Sequence, residues 1–278
     1  MRLGIAILVA ALASFTLVPA ASAAETGPPK HATARGYGGA VTSVDPEASR
    51  IGLRVLKDGG NAVDAAVATA AALGVTEPFS SGIGGGGYFV YYDARSRTVQ
   101  TLDGRETAPA AMGHDAFIDP KTGKPYGFSP ARVTSGVSVG VPGTLATWQG
   151  ALARWGSRSL AQSLEPAELL ARRGFVVDRT FHDQVEQNTR RFKAFKPTRA
   201  LYLPHGQPPA VGSRFRNPDL ARTYDLLADR GGAPFYRGAL GRQIVHAVRK
   251  PPTTRATTLP VPPGRMTRRG LARRQPAG

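Results

Sequence analysis

Five glycines stand within the six residues Gly82-Ile83-Gly84-Gly85-Gly86-Gly87. No regular helix or strand runs through such a stretch without losing roughly 0.5–1 kcal/mol per glycine relative to alanine. The chain must therefore pivot here, and the segments on either side carry different periodicities. Upstream, Asp45 is placed to cap a helix with Pro46 at its first position and Glu47 in its first turn, and Ile51, Val55 and Leu56 give that helix an apolar face before Gly59-Gly60 stop it. Asn61 caps a second helix patterned by Ala62, Val63, Ala66, Val67, Ala70 and Leu73 and ended by Gly74; its small residues suit close packing against a neighbour. Downstream, Tyr88 to Tyr92 and Val99 to Leu102 are β-like runs joined by Asp93-Ala94-Arg95-Ser96-Arg97, which predicts a hairpin. Gly82, Gly84 and Gly87 satisfy G-x-G-x-x-G. A dinucleotide fingerprint needs a strand before the glycines and a helix after them, whereas here a strand follows. The run is read as a turn that lets backbones approach closely.

Further elements are predicted on both sides of this pivot. Gly39 to Val44 and Val137 to Val141 read as strands, and Thr144 can cap a helix carrying Leu145, Trp148, Leu152 and Trp155. More helices are expected at about 160 to 173, 218 to 230 and 238 to 248. Strands and helices mix without strict βαβ alternation, which favours a layered α+β or sandwich architecture over a doubly wound sheet.

The ends of the chain differ in composition from its middle. Met1-Arg2, an apolar run from Leu3 to Val18 and Ala21-Ser22-Ala23 have the form of a signal peptide over residues 1–23, cleaved near Ala23. Export to the periplasm or the outside follows as an expectation, and no later stretch is apolar enough to span a bilayer. Residues 24–36, with Pro28-Pro29, read as a mobile leader, residues 37–250 as the folded domain, and residues 251–278 as a basic, disordered Pro/Arg-rich tail. The formal charge is +17, yet residues 249 to 278 hold eight Lys or Arg and no acid, while 27 basic and 19 acidic residues are interspersed over positions 24 to 248. With no dense basic stripe in the domain, a dedicated nucleic-acid binder is not expected. The absence of cysteine excludes thiol catalysis and cysteine metal sites.

Two further patterns have bland readings. Gly136-Val137-Ser138-Val139-Gly140 matches G-x-S-x-G, and Asp178 with His205 or His246 would complete the chain order of a serine hydrolase using Ser138. A nucleophile elbow, however, runs straight into a helix, and here Pro142 and Gly143 intervene. The five histidines lack metal-ligand spacing, so no metal site is indicated.

The ordered series Gly59-Gly60-Asn61-Ala62-Val63-Asp64-Ala65-Ala66, Ser81-Gly82-Ile83-Gly84-Gly85-Gly86 and Asp103-Gly104-Arg105-Glu106-Thr107-Ala108-Pro109 resembles γ-glutamyltranspeptidases. Gly140-Val141-Pro142-Gly143-Thr144, Asn217-Pro218-Asp219-Leu220-Ala221 and Phe235-Tyr236-Arg237-Gly238 agree in the same order. The resemblance implies an N-terminal-nucleophile hydrolase fold, an αββα sandwich, cut from a precursor into large and small subunits. It also implies a γ-glutamyltransferase or glutathione hydrolase that uses no cofactor, takes glutathione or another γ-glutamyl donor, and passes the γ-glutamyl group to water, an amino acid or a peptide. Arg105 falls on the arginine that holds the donor's α-carboxylate, a task suited to a planar guanidinium; the alternative is a surface pairing with Glu106 or Asp103. The family's nucleophile lies in Thr-Thr or Thr-Ser followed by His. Here Thr253-Thr254 precedes Arg255 and Thr257-Thr258 precedes Leu259. The resemblance thins after Pro263-Gly264-Arg265-Met266-Thr267, and the chain is expected to be truncated, to lack the small-subunit portion with its threonine, to form an incomplete sandwich, and to be inactive alone. A noncatalytic exported remnant or binding protein is the competing reading.

Overall fold

The computed structural model describes residue 30 and residues 33–274. The expected signal peptide lies outside the described residues. Helix α1 spans Pro46–Lys57 and α2 spans Ala62–Thr76. Each begins as its cap residue dictates: Asp45 accepts a hydrogen bond from the Ala48 amide, and Asn61 accepts from those of Val63 and Asp64. Gly74 does not end α2, because a Cβ there would lie 2.8 Å from the Tyr224 hydroxyl and 3.2 Å from the Gly82 Cα. The glycine serves a close approach inside the helix rather than a stop.

Strands β1 (Tyr88–Asp93) and β2 (Thr98–Asp103) form the expected hairpin, with Val90 opposite Thr101 and Tyr92 opposite Val99. One face packs inward, where Phe89 and Tyr91 stack on Trp155 at centroid distances of 6.0 and 4.8 Å and Leu102 is fully buried. The other face leaves Tyr88, Val90, Tyr92 and Val99 exposed. Helix α3 (Thr144–Trp155) starts with Thr144 as its first helical residue, after Gly143, rather than as its cap. Helix α4 (Leu160–Arg173) is capped by a reciprocal pair of hydrogen bonds between Ser159 and Gln162.

A second small sheet pairs β3 (Phe175–Val176) with β4 (Arg214–Phe215), and between them lie α5 (Arg179–Lys193) and α6 (Lys196–Tyr202). Phe175, Phe181, Tyr202 and Phe215 gather here with ring centroids 4.8 to 6.4 Å apart. Helices α7 (Pro218–Arg230), α8 (Ala233–Tyr236), α9 (Ala239–Arg249) and α10 (Arg268–Ala272) complete the described chain. Helix α2 lies at the centre, against α1, α3 and α4, with α7 packed on α4. The Tyr224 hydroxyl of α7 reaches across to the Ala71 carbonyl of α2 at 3.0 Å.

The expected strands at 39–44 and 137–141 do not form. Both segments find no neighbouring strand to complete a ladder among the described residues; Val141 makes one isolated bridge, to Thr107. The segment after Pro251 also departs from its reading as a solvated tail. Met266 and Leu271 are 0 % exposed, and the Gly264 amide donates to the Val248 carbonyl at 2.8 Å. Two apolar anchors within a basic, proline-rich stretch are enough to seat it. Leu271→Ala should therefore lower stability by about 2–3 kcal/mol, read as a lower urea midpoint at unchanged slope. A freely solvated tail would give no change.

Candidate functional site

The glycine run is stitched to two distant segments. Gly87 and Gly104 exchange backbone hydrogen bonds of 3.2 and 2.9 Å beyond the end of the hairpin, and the Gly85 carbonyl accepts from the amides of Gly143 and Thr144 at 2.9 and 3.1 Å. Side chains would prevent this. A Cβ on Gly86 would lie 2.4 Å from the Gly104 oxygen and 2.7 Å from the Glu106 nitrogen, and Gly82 sits at φ +139°. The glycines thus hold the segment after β2 against the start of α3, the close backbone approach read from the sequence.

Above this stitch opens a cavity of about 740 Å³, within the range of small-molecule sites. Leu73, Phe79 and Trp148 supply apolar wall, and Ser80, Ser81, Arg105, Glu106 and Thr147 supply polar groups. The Arg105 amide donates to Asp103 Oδ1 at 2.9 Å, which turns the chain out of β2, and Arg105 Nη2 lies 3.3 Å from Glu106 Oε2. The Arg105 side chain is 55 % exposed, whereas Glu106 Oε2 is buried and takes no hydrogen bond among the described residues. The pairing with Glu106 considered from the sequence is therefore present, and so is the cavity. One guanidinium nitrogen faces Glu106, and a fork of five donors leaves others free for an incoming carboxylate. The burial of Glu106 Oε2 and the place of Thr147, whose hydroxyl donates to the Gly143 carbonyl, were not legible from the sequence. The only hint was the adjacency of Glu106 to Arg105.

The other sequence candidates lie apart from this cavity. Ser138 is exposed on a loop, where its hydroxyl meets that of Ser135 at 3.4 Å. Asp178 caps α5 through the Phe181 amide and pairs with Lys30 at 2.6 Å, and His205 and His246 are exposed on separate elements. No Ser-His-Asp arrangement is assembled among the described residues. Although the sequence spacing indicated no metal site, α5 brings ligand atoms of His182, Asp183 and Glu186 within 4.8 Å of one another. His182 Nδ1 is 2.8 Å from the Pro209 carbonyl, and such trios on open helix faces are common without an ion.

A family model described as Gamma-glutamyltranspeptidase matches residues 48–258. The glutathione hydrolase proenzyme of Bacillus subtilis (strain 168) is 41% identical over 213 residues, which are 77% of this chain and 36% of that protein. That of Escherichia coli (strain K12) is 35% identical over 213 residues, 76% and 36% of the respective chains. The solved Helicobacter pylori gamma-glutamyltranspeptidase superposes with a TM-score of 0.77 at 29% identity, covering 90% of this chain and 66% of that one. The chain spans little more than a third of the length of these curated relatives. Its α+β fold is that of an N-terminal-nucleophile hydrolase in incomplete form, rich in helix and carrying only part of the αββα sandwich. With the motif series, the glycine stitch and the arginine-lined cavity all falling inside the matched span, the chain belongs to the gamma-glutamyltranspeptidase family.

Proposed function

We propose that this chain supplies the donor-carboxylate half of a γ-glutamyltransferase or glutathione hydrolase, with Arg105 as the anchor. The observation that supports it is the half-exposed guanidinium on the wall of a 740 Å³ cavity, set there by the glycine stitch and by Glu106. The donor is glutathione or another γ-glutamyl amide, and its α-carboxylate takes the free donors of Arg105. A threonine hydroxyl at the N-terminus of the remaining family portion attacks the γ-carbonyl carbon. The C–N bond breaks, the amine leaves with a proton relayed through the threonine's own α-amino group, and a γ-glutamyl ester forms. Water, an amino acid or a peptide then takes the γ-glutamyl group. Export past the cytoplasmic membrane, with cleavage near Ala23, belongs to the same reading.

No threonine pair of these 278 residues is followed by histidine, so the chain alone is expected to turn over no γ-glutamyl substrate. Release of p-nitroaniline from γ-glutamyl-p-nitroanilide should appear when the chain is co-expressed with the small-subunit portion of a relative and be absent without it. Failure in every pairing, with both chains folded, would remove the catalytic reading and leave a noncatalytic binding protein. Turnover by the chain alone would point to a nucleophile within it, Ser138 first.

A further inference from the structure

A second cavity lies far from Arg105 in sequence, where two acid-free stretches meet. No Asp or Glu occurs between residues 187 and 218, nor after Asp229. The structure joins these stretches through a bridge between Phe195 and Thr253, with the Lys196 amide on the Pro252 carbonyl at 3.0 Å and the Thr254 amide on the Ala194 carbonyl at 2.8 Å. Beside this seam opens a cavity of about 490 Å³, lined by Arg190 and Lys193 from the last turn of α5, Arg199 from α6, and Thr254, Thr257 and Thr258. Its lining includes no carboxylate. None of the three cations makes an ion pair among the described residues.

Complementing the α5 macrodipole accounts for basic residues in its last turn only. It does not account for Arg199 on another helix, nor for the threonines of the 254–258 segment. That segment is fixed in place: the Thr254 hydroxyl donates to the Lys193 carbonyl at 3.3 Å, Thr257 Oγ1 accepts from the Leu259 amide at 3.2 Å, and Leu259 is buried. The Thr257 hydroxyl hydrogen is left free to donate to a ligand, and the Thr258 hydroxyl has no protein partner among the described residues.

We infer that this cavity binds a compact phosphate oligoanion of the di- or triphosphate class. Three cations converging on so small a space call for several negative charges close together. A terminal phosphate group brings about −1.5 to −2 and three acceptor oxygens, and a directly bonded second or third phosphate adds further charge on adjacent oxygens, whereas a carboxylate brings a single charge on two oxygens. Arginine forks suit phosphate oxygens in pairs, lysine adds a point charge, and threonine hydroxyls donate. The site is independent of the proposed γ-glutamyl chemistry.

Sodium tripolyphosphate titrated into the full chain at fixed ionic strength tests this by calorimetry and thermal melting. One saturable site and a rise in melting temperature are expected. Arg190→Gln, Lys193→Gln and Arg199→Gln should each weaken binding about tenfold, the scale of one charge-assisted contact, and the triple variant should abolish it. These side chains are exposed, so melting without ligand should be unchanged. Arg95→Gln/Arg97→Gln on the hairpin turn should bind as well as the parent. The proposal is overturned by a non-saturating response matched by sodium sulfate, by full affinity in the triple variant, by equal loss in the hairpin control, or by tighter binding of an oligothymidylate than of tripolyphosphate.

Discussion

Arg105→Ala, in the chain assembled with a family small-subunit portion, is expected to raise KM for γ-glutamyl-p-nitroanilide about a hundredfold while changing kcat much less. Two charge-assisted hydrogen bonds to a carboxylate, at roughly 1.5 kcal/mol each, amount to about 3 kcal/mol, or two orders of magnitude. An anchor remote from the scissile bond binds ground state and transition state alike, so its loss falls on KM. Arg105→Lys keeps a charge but loses the fork and should recover part of the loss, to about tenfold above the parent. Should Arg105 serve only its contact with Glu106, which is 3.3 Å away and partly open to water, both variants would leave KM unchanged and cost under about 1 kcal/mol of stability.

Asp64→Ala should cost about 4 kcal/mol of folding stability, the largest single loss expected in the domain. Its carboxylate is 0 % exposed and receives the Asn61 amide at 2.9 Å, the Ser157 and Arg158 amides at 3.0 Å each, and the Ser157 hydroxyl at 2.5 Å. It thereby ties the first turn of α2 to the connection between α3 and α4, more than ninety residues away. Hydrogen bonds to a charged group contribute about 1.5–3 kcal/mol each, and truncation strands several donors at once, some of which recover water. Asp64→Asn keeps the size but lacks the charge and presents a donor to donors, so it should rescue little. Burial alone would raise the Asp64 carboxyl, but the Ser157 hydroxyl, followed by the amides of Asn61, Arg158 and Ser157, outweighs it and holds the group below the ordinary carboxylate range. The sign follows from that depression. The contribution is fully present above the unfolded carboxylate pKa of about 3.9 and disappears as pH falls through the lower folded value. Melting temperatures taken from pH 7 down to pH 3 should show a steeper acid loss for the parent than for Asp64→Ala. Parallel curves would mean that Asp64 is not the ionised anchor.

What the sequence made legible follows from how local each cause is. Asp45 and Asn61 announce helix starts because a cap acts within three residues, and the β1–β2 hairpin is legible because its turn and both strands are contiguous. Helices α5 and α6 escaped notice because α5 buries only Phe181 and Val185 fully along fifteen residues, a stripe too sparse to register as a period, and α6 buries none. Gly74 misled because a glycine that admits a tyrosine from α7 has the same letter as one that ends a helix. The anchoring of residues 251–274 was hidden for a similar reason: composition averages over Met266 and Leu271, whereas burial depends on where those two side chains meet the core. At the cavity, the pairing of Arg105 with Glu106 was legible from their adjacency in the sequence. The buried setting of Glu106 Oε2 and the close approach of Gly86 to the Gly104 carbonyl were not, since both depend on segments that meet only in three dimensions.

The stitch of Gly85, Gly104 and Gly143 also bears on the order in which the domain matures. Arg105 acquires its setting only after three segments, up to fifty-eight residues apart along the chain between Gly85 and Gly143, have closed on one another. Loop closure of that kind follows the formation of local helices and hairpins in time. A ribosome-bound chain with Trp155 still in the exit tunnel would hold α1, α2 and the hairpin yet leave the cavity wall around Arg105 unformed. Closure of the stitch is thus a late event in this fold, and the amides of Gly143 and Thr144, both held by the Gly85 carbonyl, serve as its reporters, protected from exchange only once these segments have met.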